Sequence, residues 1–259
     1  MGMFDFFTGK RPAVRFSSVM RSETGLVRPN NEDHAFADDR KGLYAVADGM
    51  GGGDEGEVAS DIVCRRLAAL ALDGTMSLGK RVAAVRGAVE AANAEIFAYA
   101  TARGFRQMGS TVAVLVTDPG DAAKAAVCHV GDSRVYRIRG GMAKLLTRDH
   151  SVGRELSDMA GDQARQLRDR SNPLAHVLTQ AIGAKADVRV DVLEVDVRPR
   201  DRFVICSDGV HDVITDARLA VYAAGGPLES AQQRLAAAVV EKGAPDNFTF
   251  VLVACGEEY

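Results

Sequence analysis

Four aspartates lie where an apolar run of the sequence meets small or polar residues: Asp48, Asp132, Asp208 and Asp246. The first three follow the apolar run and the fourth precedes it. Taken singly, each is better interpreted as a turn or cap residue. If folding gathers them at one edge of a sheet, their charges repel and cations are needed to neutralise them. Carboxylate oxygens without imidazole or thiolate partners favour hard ions such as Mg²⁺ or Mn²⁺.

The stretch that follows Asp48 is almost free of side chains, since four of the five residues from Gly49 to Gly53 are glycine. Such a stretch suggests that a small polar group approaches the main chain closely. A phosphate cradle of a nucleotide-binding protein is one alternative. The run lacks the Lys-Ser/Thr ending of a P-loop, and the acids beside it would repel phosphate unless a metal intervened. Access for a metal ion explains the glycines better.

Bulk composition excludes several function classes. The net charge of −3 argues against nucleic acid as the main partner, because phosphate backbones require clustered Lys and Arg. No apolar run approaches the roughly 18 residues that cross a membrane, and the N-terminus lacks a signal-peptide core. We therefore expect a cytoplasmic protein without a membrane partner. The four cysteines are far apart in apolar surroundings, so we expect buried free thiols rather than a zinc site: Cys64, Cys128, Cys206 and Cys255.

The elements that must position the acids are helices and antiparallel strands in separate layers. Helical periodicity covers residues 56–72, 77–102 and 229–243. Short apolar runs over 110–147 are separated by connections too short for a crossover helix, so their strands must be antiparallel neighbours. Further strands are predicted at 13–24, 43–48, 187–197, 201–208 and 247–254. The pattern predicts an α+β fold, with sheet packed on sheet and helices outside.

The chain has no internal repeat and no low-complexity linker, so we expect a single domain. It should span residues 13–259 after an N-terminal tail at 1–12. The polar span 150–172 lies between two ordered regions, and we expect a flap near the site, although a surface helix is the alternative.

Seven motifs, taken in order, resemble those of metal-dependent Ser/Thr protein phosphatases of type 2C, and of the compact bacterial members in particular. They are RPNNEDHAF, YAVADGMGGGDEGEVAS, GSTVAVLV, HVGDSRVYRI, LTRDHS, ICSDGVHDVI and PDNFTFVLV. The resemblance runs from about Arg15 to about Ala254, which is nearly the whole chain. It implies a four-layer α/β/β/α sandwich of two mainly antiparallel sheets flanked by helices.

The resemblance implies a role for each matching residue. Asp48 would bridge two metal ions, and the Gly49 carbonyl would bind one of them. Asp208 and Asp246 would complete the ligands of the first metal. Asp132 would share a third, weaker metal site with Asp208.

Further residues would act around the metals. Asp33, together with Glu32, would orient metal-bound waters. Arg28 would clamp the phosphate, because a guanidinium fork suits two phosphoryl oxygens. Met50 stands where some eukaryotic members carry a proton-donating His, so the general acid is open between a metal-bound water and, as a poorer candidate, His150. We expect His150 to anchor the flap instead.

The implied reaction is direct hydrolysis of phosphoserine and phosphothreonine by a water that two, or even three, Mn²⁺ or Mg²⁺ ions activate, without a phosphoenzyme. The partners of the protein would be phosphorylated proteins, either a bacterial Ser/Thr kinase or the substrates of that kinase. The protein itself would be a monomer. A catalytically weak relative that binds phosphoproteins and regulates is the alternative.

Overall fold

Two antiparallel sheets form the centre of the molecule. The structure, a computed structural model, describes residues 15–51, 54–160 and 176–256. In chain order the strands are β1 (Arg15–Glu23), β2 (Asp33–Asp38), β3 (Leu43–Met50), β4 (Gly109–Ser110), β5 (Val112–Thr117), β6 (Lys124–Val130), β7 (Arg134–Arg139), β8 (Met142–Leu145), β9 (Asp191–Asp196), β10 (Arg202–Cys206) and β11 (Phe248–Gly256). One sheet has the order β1-β11-β10-β7-β8, and the other has the order β2-β3-β5-β6-β9 with β4 paired to β3.

Helices cover the outer faces of both sheets. They are α1 (Asp54–Ala68), α2 (Leu78–Arg103), α3 (Val152–Ala160), α4 (Asp208–His211), α5 (Asp216–Ala223) and α6 (Leu228–Glu241). The first two pack on the sheet that contains β3, and α5 and α6 pack on the sheet that contains β11. The four-layer α/β/β/α sandwich that the resemblance implies is confirmed. No helix in the described ranges is long and apolar enough to cross a membrane.

The central strands are buried on both faces because each face meets a different layer. Along β11, Phe250 and Leu252 point towards the helices, whereas Val251 and Val253 point into the space between the sheets. The same period of two divides β3, where Tyr44 packs between the sheets. This explains why the two segments read as continuous apolar runs.

Several elements differ from the sequence-based expectation, and among them helices α4 and α5 were not predicted. Strand β2 was not predicted at all, yet it pairs with β3 in register from Asp33 opposite Asp48 to Asp38 opposite Leu43. Strand β9 was expected to have only one face in solvent. Its adjacent residues Val192 and Leu193, which point to opposite faces, are 41% and 44% exposed. It is an edge strand that pairs with β6 alone, so both of its faces reach solvent.

The expected flap is described only in its first part, where Val152–Ala160 forms α3. Residues 161–172 of the flap, and the expected tail at 1–12, lie outside the described residues. The four cysteines are buried free thiols, as predicted.

Candidate active site

A pocket of about 460 Å³ opens at one edge of the sandwich, and the four predicted aspartates all line it. Asp48 is near the end of β3, Asp132 is in the turn between β6 and β7, and Asp208 begins α4 directly after β10. Asp246 lies two residues before β11. Antiparallel pairing brings the end of β10 next to the start of β11. The fold therefore gathers carboxyl groups that are up to 198 residues apart in sequence.

Burial and mutual repulsion dominate the electrostatics of this pocket. Burial, followed by the charges of Asp33 and Asp208, raises the pKa of Asp48 well above its usual range. The pKa of Asp132 is raised by burial and then by Asp208, and that of Asp208 is raised mainly by burial. A protonated Asp48 carboxyl can donate to Asp208, which lowers the pKa of Asp208 against the effect of burial. The site is therefore poorly suited to holding all its carboxylates ionised unless cations join them.

The two acids predicted to act around the metals occupy different places. Glu32 lines the pocket, and its carboxylate lies over Gly56 in the first turn of α1. Asp33 is buried, and it accepts a 2.7 Å hydrogen bond from the Ser207 hydroxyl. Burial raises the pKa of Asp33 to about 7, and the negative charge of Asp208 adds to the shift.

The main chain of Asp48 is held by two hydroxyl residues. The Ser110 hydroxyl donates to the Asp48 carbonyl at 3.0 Å, and the Thr111 amide donates to the same oxygen at 2.8 Å. The Asp48 amide donates to the Thr111 hydroxyl at 3.1 Å, and that hydroxyl lies 2.6 Å from the Ser133 hydroxyl. Thr111 thus ties the Asp48 strand to the turn that carries Asp132.

Gly49 has a packing reason to be glycine. A Cβ at this position would collide with the carbonyl oxygen of Gly56 and would lie 2.6 Å from that of Glu32. The Gly49 amide donates to the Glu32 carbonyl at 3.1 Å, so the backbone is held against β2. Backbone contact with α1 and with Glu32 thus excludes a side chain here, and the predicted access for a metal ion at this glycine stays a prediction. Gly52 and Gly53 lie outside the described residues.

Arg28 lies at the rim of the pocket. Its Nη2 is 2.7 Å from Asp246 Oδ2, and its side chain is 53% exposed. The hydrogen bond to Asp246 raises the pKa of Arg28 further, against a smaller lowering by burial. The exposed guanidinium is the cation that the pocket offers to an incoming anion.

Asn247 organises the rim, and no role was predicted for it. Its side-chain oxygen accepts from the Glu32 amide at 2.9 Å, and its nitrogen donates to the carbonyls of Thr24 and Asn30 at 2.8 and 2.7 Å. These bonds fix the loop that carries Arg28 next to Asp246. The signal in the sequence was weak: a single asparagine at the start of a predicted strand.

His211 positions the turn that contains Asp132, because its Nε2 lies 3.1 Å from the Asp132 carbonyl and can donate to it. The buried ring therefore supports the main chain of a candidate ligand from α4.

A second group of metal-ligand residue types lies away from the carboxylates: His129, His150 and Asp191 offer ligand atoms within 4.8 Å of one another. The Gly131 amide donates to His150 Nδ1 at 3.2 Å. A neutral ring that accepts at Nδ1 carries its hydrogen on Nε2, which faces Asp191 Oδ2 at 3.4 Å. No lone pair then remains on Nε2 for a metal. His150 instead joins the start of α3 to Gly131, since its own amide donates to the Gly131 carbonyl.

The positions of Met50 and Cys206 decide whether either side chain can take part in the chemistry. Met50 lines the pocket, and no histidine is among the described residues that line it. Cys206 is the last residue of β10 and packs in the core, and burial raises the pKa of its thiol far above the usual range. The thiol is therefore not poised as a nucleophile.

The acid-lined pocket at the edge of a four-layer sandwich defines the class of protein. A family model described as "Protein phosphatase 2C" matches residues 27–242. The chain belongs to the protein phosphatase 2C family.

Solved structures and curated relatives agree with this. PppA, described as a key regulatory component of T6SS in Pseudomonas aeruginosa, is 31% identical with a TM-score of 0.84, over 93% of this chain and 98% of that one. The catalytic domain of PstP in complex with 2 manganese ions is 30% identical with a TM-score of 0.79, over 94% and 100% of the two chains. The serine/threonine protein phosphatase PstP of Mycobacterium tuberculosis is 32% identical over 90% of this chain. The chain spans only 43% of that relative's length.

Proposed function

We propose that this chain is a phosphoserine/phosphothreonine protein phosphatase that depends on Mn²⁺ or Mg²⁺ and hydrolyses phosphomonoesters directly with water. The observation that supports it most is the group of Asp48, Asp132, Asp208 and Asp246 lining one pocket, with the exposed Arg28 at its rim. In a metal-assisted phosphoryl transfer, the aspartates can hold the metal ions and Arg28 can hold the phosphate.

The residues present fit a divalent cation. The donors are all oxygens, and burial together with mutual repulsion raises the pKa of Asp48, Asp132 and Asp208. Divalent cations would relieve that repulsion. We propose that Asp48, the Gly49 carbonyl, Asp208 and Asp246 hold two ions, and that Asp132 shares a third with Asp208. The manganese ions in the PstP catalytic domain support this choice of metal.

When bound, such ions supply Lewis-acid stabilisation and a nucleophilic water at neutral pH. The protein's own residues orient the other components. Arg28 holds two phosphoryl oxygens with its guanidinium fork, and Asn247 fixes the loop from which Arg28 extends. Ser110 and Thr111 hold Asp48 at the centre of the pocket. Buried Asp33, next to Asp48 and bonded to Ser207, would orient water bound at the metals.

We propose that a metal-bound water, the first of the two candidates named from the sequence, would supply the proton of the leaving group. Met50 has no proton to donate, and His150 is turned towards Gly131 and Asp191, outside the pocket lining. We therefore propose that His150 is not the general acid.

The proposal also covers the substrates of the protein, its oligomeric state and its location. We infer phosphorylated proteins as substrates, among them a bacterial Ser/Thr kinase or the proteins that it phosphorylates, and action as a monomer in the cytoplasm. The names of the relatives as serine/threonine phosphatases support the substrate class. No specific observation favours the alternative, a catalytically weak phosphoprotein-binding regulator.

Phosphate release tests the proposal. Protein stripped of metal by a chelator should hydrolyse a phosphothreonine peptide and an aryl phosphate only after Mn²⁺ or Mg²⁺ is restored. Asp208→Asn should lose turnover by several orders of magnitude and keep its circular dichroism spectrum. If the wild type releases no phosphate with either ion, the proposal is rejected in favour of the regulatory alternative.

A further inference from the structure

A second pocket, of about 650 Å³, adjoins the catalytic pocket. The two share three lining residues, Met50, Gly51 and Leu178, so they meet at a common wall. We call the second one the side pocket. A substrate whose phosphate occupies the catalytic pocket can extend its neighbouring groups across this wall into the side pocket.

The side pocket is basic. Arg106, Lys185 and Arg189 line it, against a single acid, Asp187. Arg189 is engaged with Asp191, 2.9 Å away. In the described part of the chain, no carboxylate is within ion-pair distance of Arg106 or Lys185. These two exposed cations are therefore available to an acidic ligand.

The wall that carries Lys185 is fixed in place. The buried Asn93 of α2 donates to the carbonyls of Lys185 and Ala186 at 3.0 and 2.9 Å, and it accepts from the Gly183 amide at 2.7 Å. Ile182 and Ser110 exchange backbone hydrogen bonds at 2.8 and 2.9 Å, which joins the same wall to β4. A ligand that binds here does not need to order this main chain first.

The floor of the side pocket is apolar, with Met108 buried and Val188 half-buried beside Ala181. A ligand that contacts both the apolar floor and the cations at the rim must carry apolar groups and negative charge together. A polypeptide with acidic side chains has both, whereas a small inorganic anion has only the charge.

We propose that the side pocket binds the residues that flank the phosphorylated Ser or Thr of a protein substrate, and that Arg106 and Lys185 select acidic side chains there. This proposal rests on the proposed phosphatase function and deepens it. The catalytic pocket takes the phosphate itself, so we expect a preference for acidic flanks to originate in the basic side pocket beside it.

Paired phosphothreonine peptides test the proposal. One peptide carries glutamate at the three positions on each side of the phosphothreonine, and its partner carries glutamine at the same positions. We expect the wild type with Mn²⁺ to favour the acidic peptide about five- to tenfold in kcat/KM, which is the size of two solvent-screened ion pairs. The double variant Arg106→Gln/Lys185→Gln should reduce the preference to below about twofold, mainly by raising KM. Higher salt should weaken the wild-type preference.

Two controls separate the possible outcomes. Lys80→Gln changes an exposed cation at the start of α2, roughly 35 Å along the helix from Arg103, and should keep the preference. An aryl phosphate does not reach the side pocket, so its kcat/KM should be unchanged in the double variant. An active wild type without the acidic preference, or a double variant that keeps it, would overturn the side-pocket proposal alone. A wild type that is inert towards the aryl phosphate would overturn the phosphatase function and this proposal together.

Discussion

Asp33 lies directly opposite Asp48 across the β2–β3 pair, which places two buried carboxyl groups side by side at one end of a sheet. Directly opposed residues of an antiparallel pair face the same side, and like charges there destabilise the pair. Ser207 donates a hydrogen bond to Asp33, but Asp48 must share the pocket with Asp208. The arrangement is stable when a proton or a cation offsets the charge.

Protein stripped of divalent cations should therefore lose stability as the pH rises. Burial raises the folded pKa of Asp33 to about 7, so between about pH 4 and pH 7 the folded state binds more protons than the unfolded state. The free energy of unfolding then falls with rising pH. The contribution is fully present below about pH 4 and is lost as the pH passes through 7.

Urea unfolding in chelator at pH 5.5 and pH 8 measures this effect. The wild type should be less stable at pH 8, and Asp33→Asn should show a smaller difference between the two pH values because its amide does not titrate. A wild type that gains stability over this range would contradict the assigned state of the carboxyl groups.

Replacing Arg28 should weaken substrate binding. Arg28→Ala removes the exposed guanidinium at the rim, and we expect KM for a phosphothreonine peptide to rise about tenfold or more. Arg28→Lys keeps the charge without the fork and should be intermediate. Steady-state kinetics with Mn²⁺ checks this, and an unchanged KM in Arg28→Ala would reject the phosphate-clamp role.

Two glycine substitutions should have opposite effects. Gly49→Ala forces a Cβ against the carbonyls of Gly56 and Glu32, so we expect a loss of about 1–3 kcal/mol in unfolding free energy and reduced activity. Gly87→Ala lies on an exposed face of α2 with no atom near its Cβ, and should stabilise by about 0.5–1 kcal/mol. Equal effects of the two changes on stability would show that backbone contact does not restrict Gly49.

His150 should matter for stability and not for proton transfer. His150→Gln removes the acceptor of the buried Gly131 amide, at a cost of about 1–3 kcal/mol. The shape of the pH–rate profile should be retained, because the ring is outside the catalytic pocket. The exposed His176 provides a matched control, as His176→Gln should change the unfolding free energy much less. Loss of one limb of the profile in His150→Gln would instead make His150 a proton donor.

The four aspartates could be predicted from sequence because each one borders an apolar run, three after it and Asp246 before it, and the ends of antiparallel strands meet at shared edges of the sandwich. The motif resemblance then supplied the layer order and the assignment of ligands. The structure places these residues in one pocket, and their roles as ligands stay predictions.

The supporting contacts could not be predicted, because they join residues far apart in sequence through the main chain. Asn247 reaches the carbonyl of Thr24, 223 residues away, and Ser207 reaches Asp33, 174 residues away. The local periodicity of the sequence does not predict contacts between residues so far apart. Strand β2 was missed for a related reason: its short sequence DHAFAD has little apolar alternation, and its pairing with β3 determines its conformation.

The location of the metal ions tests the central claim most directly. Crystals grown without divalent cations and soaked in Mn²⁺ should show anomalous scattering peaks within bonding distance of the carboxylates of Asp48, Asp208 and Asp246, with one near the Gly49 carbonyl. The same soak of Asp208→Asn should show weaker peaks or none. Wild-type crystals without a manganese peak among these three aspartates, in a protein that still releases phosphate, would contradict the account.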